Sequence, residues 1–141
     1  MLKYLNGTRE RGIVLSSSVP FRVELCADAS FAVHHDRKSH SADLLLLGGG
    51  LVGARSYKQK IVTRSSAEAE FVCCSDSVSV GIGLRNFLIE QGHEMLPVVL
   101  YQDNTSSIFL AEKGKPASVR TRHIDISSTS LCLTECRRKN S

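Results

Sequence analysis

The chain has 141 residues, 42% of them hydrophobic, and a formal net charge of +4. That length carries one domain with its own core rather than two, excludes wholesale disorder, and leaves a mild attraction for polyanions. The long apolar run Leu44–Leu47 is far short of a membrane span, and the N-terminus "MLKYLNGTRERG" lacks a signal-peptide core, which predicts an intracellular protein with no membrane partner.

In chain order, "MLKYLNGT" reads as a helix end, with Leu2 and Leu5 on one face and Gly7 as its stop. "GIVLSS" is a short strand candidate. "FRVELCADAS" alternates, with Phe21, Val23 and Leu25 on one face and Arg22, Glu24, Cys26 and Asp28 on the other. "AVHHDRKSHS" is a polar turn, in which His34 and His35 lack a metal-ligand set. "ADLLLLGG", "LVGARSYKQ" and the extension "KIVT" follow as strands, and short turns between them predict an antiparallel meander.

The period then changes. Ala67, Phe71, Cys74 and Val78 fall at helical spacing after Ser65 or Ser66, either of which suits an N-cap. Gly81 and Gly83 are expected to divide this stretch into two helices, and Gly92 to stop the second. "PVVLYQ" is a buried-type strand that ends in "DN", and "TSSIFLAEKG" is a further helix. The order β-β-β-α-α-β-α predicts a mixed α/β sheet.

Two patterns are set aside. "GGGLVG" (Gly48, Gly50, Gly53) matches the glycine spacing of a dinucleotide fold but is not followed by a helical pattern, so a tight turn accounts for it better. The five cysteines are an odd number without a signal sequence, and Cys132 and Cys136 lack the second pair a zinc site needs. Basic residues gather at Arg55, Lys58, Lys60 and Arg64, at Arg120 and Arg122, and at Arg137–Lys139.

Three acids occupy unusual places: Asp28 inside a strand, Glu70 in the first turns of the long helix, and Asp103 at a strand's carboxyl end. A helix packed across a mixed sheet brings them together, and a magnesium ion is the natural neutraliser of such a cluster. Periodicity does not choose between the two helix glutamates, since Glu70 lies about 70° and Glu68 about 90° from the centre of the apolar face.

The segments "LKYLNGTRERGIVL", "CADASFA", "DRKSHSADLLLLGG", "KQKIVTRSSAEAEF", "LRNFLIEQG", "LYQDNTSSIFLA" and "RTRHIDI" resemble, in order and spacing, the ribonuclease H domain of Ty/copia-type retrotransposon Pol polyproteins. The resemblance implies a mixed sheet, three antiparallel strands plus a parallel strand, flanked by helices. It implies two-metal, magnesium-dependent hydrolysis of the RNA strand in an RNA–DNA hybrid, in a polyprotein that also carries reverse transcriptase. By motif it selects Glu70 over Glu68 and makes Asp28, Glu70 and Asp103 both catalytic and metal ligands. Ser30, Lys58, Ser65 and Asn104 become contacts to the hybrid, and Asp125 a candidate substitute for the family's fourth acid.

Three departures stand out. The family's "SGY" is Ser41-Ala42-Asp43, its "SW-[KR]-S" is Gly53-Ala54-Arg55-Ser56, and its final strand, helix and fourth aspartate have no counterpart in "SSTSLCLTECRRKNS". The expected organisation is therefore a trailing reverse-transcriptase segment with a short strand (1–20), a ribonuclease H-like domain (21–126) and an irregular tail (127–141), with one sheet edge uncovered. Two functional readings follow, a hybrid-cutting nuclease and a catalytically inactive transposon remnant that binds nucleic acid weakly.

Overall fold

The computed structural model describes residues 2–16 and 20–103, and the backbone of 131–135. Its elements are α1 (Leu2–Gly7), β1 (Val23–Ser30), β2 (His40–Leu47), β3 (Gly50–Lys58), α2 (Ser66–Glu90), β4 (Val98–Gln102) and β5 (Leu131–Glu135). The strands form one sheet in the order β3-β2-β1-β4-β5. β1, β2 and β3 are an antiparallel meander, while β4 runs parallel to β1 and β5 parallel to β4.

The meander follows from its turns. Gly48 and Gly49 take φ of 58° and 77° between β2 and β3, the left-handed region that glycine enters without strain. Within "GGGLVG", Gly48 and Gly49 are thus the hairpin turn and the rest opens β3. Among the described residues, neither "GIVLSS" nor "KIVT" contributes a strand. Residues 13–15 instead lie against Gly50, where an added Cβ would meet Leu15 and Val14.

One side of the sheet carries α2. Val23, Leu25 and Ala27 of β1, Val98 and Leu100 of β4, and Cys73, Cys74 and Val78 of α2 make one buried cluster. Each Val or Leu removed from water there contributes roughly 1.5–3 kcal/mol. α2 is one continuous helix, not two. At Gly81 a Cβ would sit 2.7 Å from Leu25 Cδ1, so the glycine permits close helix–sheet approach instead of breaking the helix. The roughly 1 kcal/mol that glycine costs a helix is small against the packing it allows. By length and composition α2 could cross a membrane, but its face from Ala69 to Gly81 lies on the sheet.

The expectation for the tail needs correction. Leu131–Glu135 pairs with β4 from Val98↔Leu131 to Gln102↔Glu135, so the far edge of β4 is covered. The run "LCLTE" sets three apolar residues before two polar ones and does not alternate, so a period of two did not identify it. The expected helix "TSSIFLAEKG" lies outside the described residues.

Candidate acidic metal centre

The parallel register of β1 and β4 builds the centre. Glu24 pairs with Val99 and Cys26 with Tyr101; carried on by two residues, this sets Asp28 beside Asp103. Both lie where the strands end, and both are exposed. The third acid comes from α2. Ser65 caps the helix, its hydroxyl accepting from the Glu68 backbone N–H at 3.1 Å, and Glu68 in turn accepts from the Arg64 N–H at 2.7 Å. That cap occupies Glu68, while Glu70 lies on the buried side of α2 with Ala69, Cys73 and Cys74, 6% exposed.

One ligand oxygen each from Asp28, Glu70 and Asp103 lies within 4.8 Å of the others. Gln102, buried in β4, donates from Nε2 to Glu70 Oε2 at 2.8 Å. One turn along α2, Cys73 Sγ sits 3.2 Å from the Asp28 carbonyl oxygen, tying the helix to the strand at the centre. Burial is the main cause that pushes the Glu70 carboxyl above the ordinary glutamate range. The charges of Asp28 and Asp103 push the same way, and hydrogen bonds from Gln102 and Ala29 oppose them.

These residues fit a hard divalent cation. The donors are all carboxylate oxygens, one buried, and among the described residues the ion pairs engage Asp36 and Asp43 but none of these three acids. Asp28 and Asp103 also line a cavity of about 380 Å³ on the sheet face opposite α2, floored by Ala42 and Leu44.

Of the four expected nucleic-acid contacts, Ser30, Lys58 and Ser65 lie among the described residues. Ser30 is exposed at the end of β1, in register with His40, which is in register with Lys58. Lys58 Nζ lies 3.0 Å from an Asp36 oxygen. Ser65 is engaged as the cap. Asn104 and Asp125 lie outside the described residues.

Sequence reasoning missed two polar networks. Asp43 faces Arg55 directly across β2 and β3. Arg55 Nε donates to its two oxygens at 2.9 and 3.1 Å, and Ser77 Oγ donates to it at 2.9 Å. The hairpin register, once fixed by Gly48 and Gly49, was the available signal. The other network joins His34, His40 and Ser56.

No protein-family model matches the chain. The retrovirus-related Pol polyprotein from transposon TNT 1-94 of Nicotiana tabacum is 34% identical over 127 residues, 89% of this chain. That of transposon RE1 of Arabidopsis thaliana is 32% identical over 128 residues, also 89% of the chain. The chain spans 9% of the length of each of these relatives. Among solved structures, RNase H1 from Halobacterium salinarum superposes with a TM-score of 0.57 at 14% identity, over 83% of this chain and 86% of that one. LC11-RNase H1 does so with a TM-score of 0.60 at 11% identity, over 84% and 86%. The same enzyme solved in complex with an RNA/DNA hybrid gives a TM-score of 0.54 at 9% identity, over 83% and 86%.

Proposed function

Since the chain belongs to the Ty/copia-type retrotransposon Pol polyproteins as a domain of ribonuclease H fold, we propose that it hydrolyses the RNA strand of RNA–DNA hybrids at Asp28, Glu70 and Asp103. The observation that carries this reading is the convergence of those carboxylates from three separate elements to within 4.8 Å. Such a cluster is costly unless a cation is meant to sit in it.

Asp28, Glu70 and Asp103 would hold magnesium, two ions in the full mechanism, which supplies charge stabilisation at the phosphodiester and an activated water. The chain's own residues do the positioning. β1 and β4 fix Asp28 and Asp103 side by side, and the Gln102 amide holds Glu70 in one orientation. Discrimination of RNA from DNA rests on the 2′-hydroxyl. Ser30, Lys58, Ser65 and Asn104 are the proposed contacts to the hybrid, Asp125 a proposed fourth acid, and the reverse-transcriptase portion of a parent polyprotein the proposed partner.

One observation favours a second reading. Among the described residues the acidic group has three members and no fourth, which suits a folded but catalytically silent copy. The test is cleavage of a hybrid labelled on its RNA strand, in magnesium, with Asp28→Asn alongside. Cutting by the wild type that falls about 100-fold or more in the variant is the expected result. No cutting by folded wild-type chain would leave the silent-copy reading.

A further inference from the structure

The turn between β1 and β2 holds a hydrogen-bonded chain that cleavage at the acids does not use. His34 Nε2 lies 3.0 Å from His40 Nδ1, and His40 Nε2 lies 2.8 Å from Ser56 Oγ. Two proton arrangements satisfy both contacts, and one of them leaves a ring nitrogen of His34 open. In that one, His34 Nε2–H donates to His40 Nδ1, and His40 Nε2–H donates to the Ser56 hydroxyl. His34 Nδ1 then stands outside the chain, and protonation there breaks neither bond. It makes the first one charge-assisted and stronger. In that arrangement the pair accepts one positive charge without rearrangement; in the other, only the Ser56 hydroxyl has to turn from donor to acceptor.

The turn is built to hold this geometry. Arg37 N–H donates to the His34 carbonyl at 2.8 Å, and His34 N–H to the Lys38 carbonyl at 3.2 Å. Ala32 and Arg37 take φ of 49° and 59°, a region that costs a residue with a side chain free energy and persists only where its surroundings enforce it. Ser39 Oγ, which accepts from the Ala32 N–H at 3.1 Å, is part of that enforcement.

Charge decides the kind of ligand. The groups around the pair are His35, Asp36, Arg37 and Lys38 on the turn, Ser30 on β1, and Ser56 and Lys58 on β3. The one acid on the turn, Asp36, is already paired with Lys58 at 3.0 Å and Lys38 at 3.8 Å, and Asp28 is the acid in the next row. The balance is positive, which favours an anion over a metal ion. Position decides the rest. Ser30, His40 and Lys58 form one row across the strands, and Asp28, Ala42 and Ser56 form the next row on the same face. The two rows are about 7 Å apart along the strands.

We propose that the His34–His40 pair is a proton-gated contact for the phosphodiester backbone of a nucleic-acid strand running past the acidic centre. The kind of ligand rests on the function proposed above; the proton linkage rests on the pair alone. By linkage, a bound phosphate raises the proton affinity of the pair, so binding tightens as pH falls.

The test is binding of a fluorescent RNA–DNA hybrid, and of a DNA duplex of equal length, to the whole chain in calcium at about pH 5.5 and about pH 8. Wild type is expected to bind both duplexes about tenfold more tightly at the lower pH, because a phosphate contact does not read the sugar. His34→Gln and His40→Gln, which keep hydrogen-bonding capacity on the turn, are each expected to lose that gain and to lower the salt slope by about one at low pH. Variants that keep the wild-type pH dependence would overturn the proposal and leave the cleavage reading standing. Failure of folded wild type to bind the hybrid at either pH would overturn both.

Discussion

Glu70→Gln is expected to cost about 100-fold or more in hybrid cleavage while making the metal-free protein more stable at neutral pH. The two effects share one cause. Glu70 is 6% exposed and lies with Asp28 and Asp103 within a 4.8 Å group. A charge there is desolvated and repelled, and burial first, then those neighbours, raises its pKa. For an acid whose folded pKa is raised, the folded state holds the proton more tightly. Its stabilising contribution is full below the ordinary glutamate pKa and is lost as pH rises through the raised value. Wild type without metal therefore loses stability over that window, and the glutamine variant does not. The glutamine keeps the packing and an oxygen to accept from Gln102. Magnesium reverses the order, since it stabilises the protein that binds it and offers the variant little. Thermal melts with and without magnesium, beside the cleavage assay, check all of this. A variant that is less stable than wild type in both conditions would contradict it.

Arg55→Met is expected to destabilise the fold by about 3 kcal/mol, a large part of the 5–15 kcal/mol that holds a domain together. Asp43 is 5% exposed, and Arg55 is the cation paired with it, while Ser77 supplies a hydroxyl. Removing the guanidinium leaves a buried carboxylate with a single neutral donor. The Arg55 side chain is 41% exposed, so water screens the pair, and the lower end of the usual range for breaking a buried pair applies. Asp43→Asn combined with Arg55→Met removes the stranded charge and is expected to recover about 1–2 kcal/mol. Denaturant unfolding of the single and double variants measures both figures. A double variant no more stable than Arg55→Met alone would show that the pair matters as packing rather than as charge.

Local features were legible in sequence where local physics decides them. The alternation of Phe21, Val23 and Leu25 marked a face on which Val23 and Leu25 are buried, and of the two serines offered as a cap Ser65 begins α2. The three acids were visible as oddities, and motif resemblance selected Glu70 where a 20° difference in helix angle did not. The structure separates the two: the cap engages Glu68, while Glu70 lies on the buried side of α2. What sequence reasoning missed depends on contacts between distant segments. Gly81 reads as a helix breaker until Leu25 lies 2.7 Å from where its Cβ would be. Asp43 reads as a damaged aromatic site until Arg55 appears across the hairpin. The "LCLTE" of β5 does not alternate, and its pairing with β4 is what makes it a strand.

The central claim is that Asp28, Glu70 and Asp103 form a divalent-cation site, and calorimetric titration of magnesium and manganese into the whole chain tests it most directly. The predicted result is binding by wild type that weakens at least about 10–100-fold in Asp28→Asn, in protein shown to be folded. Equal affinity in the two proteins, or no binding to folded wild type, would contradict it.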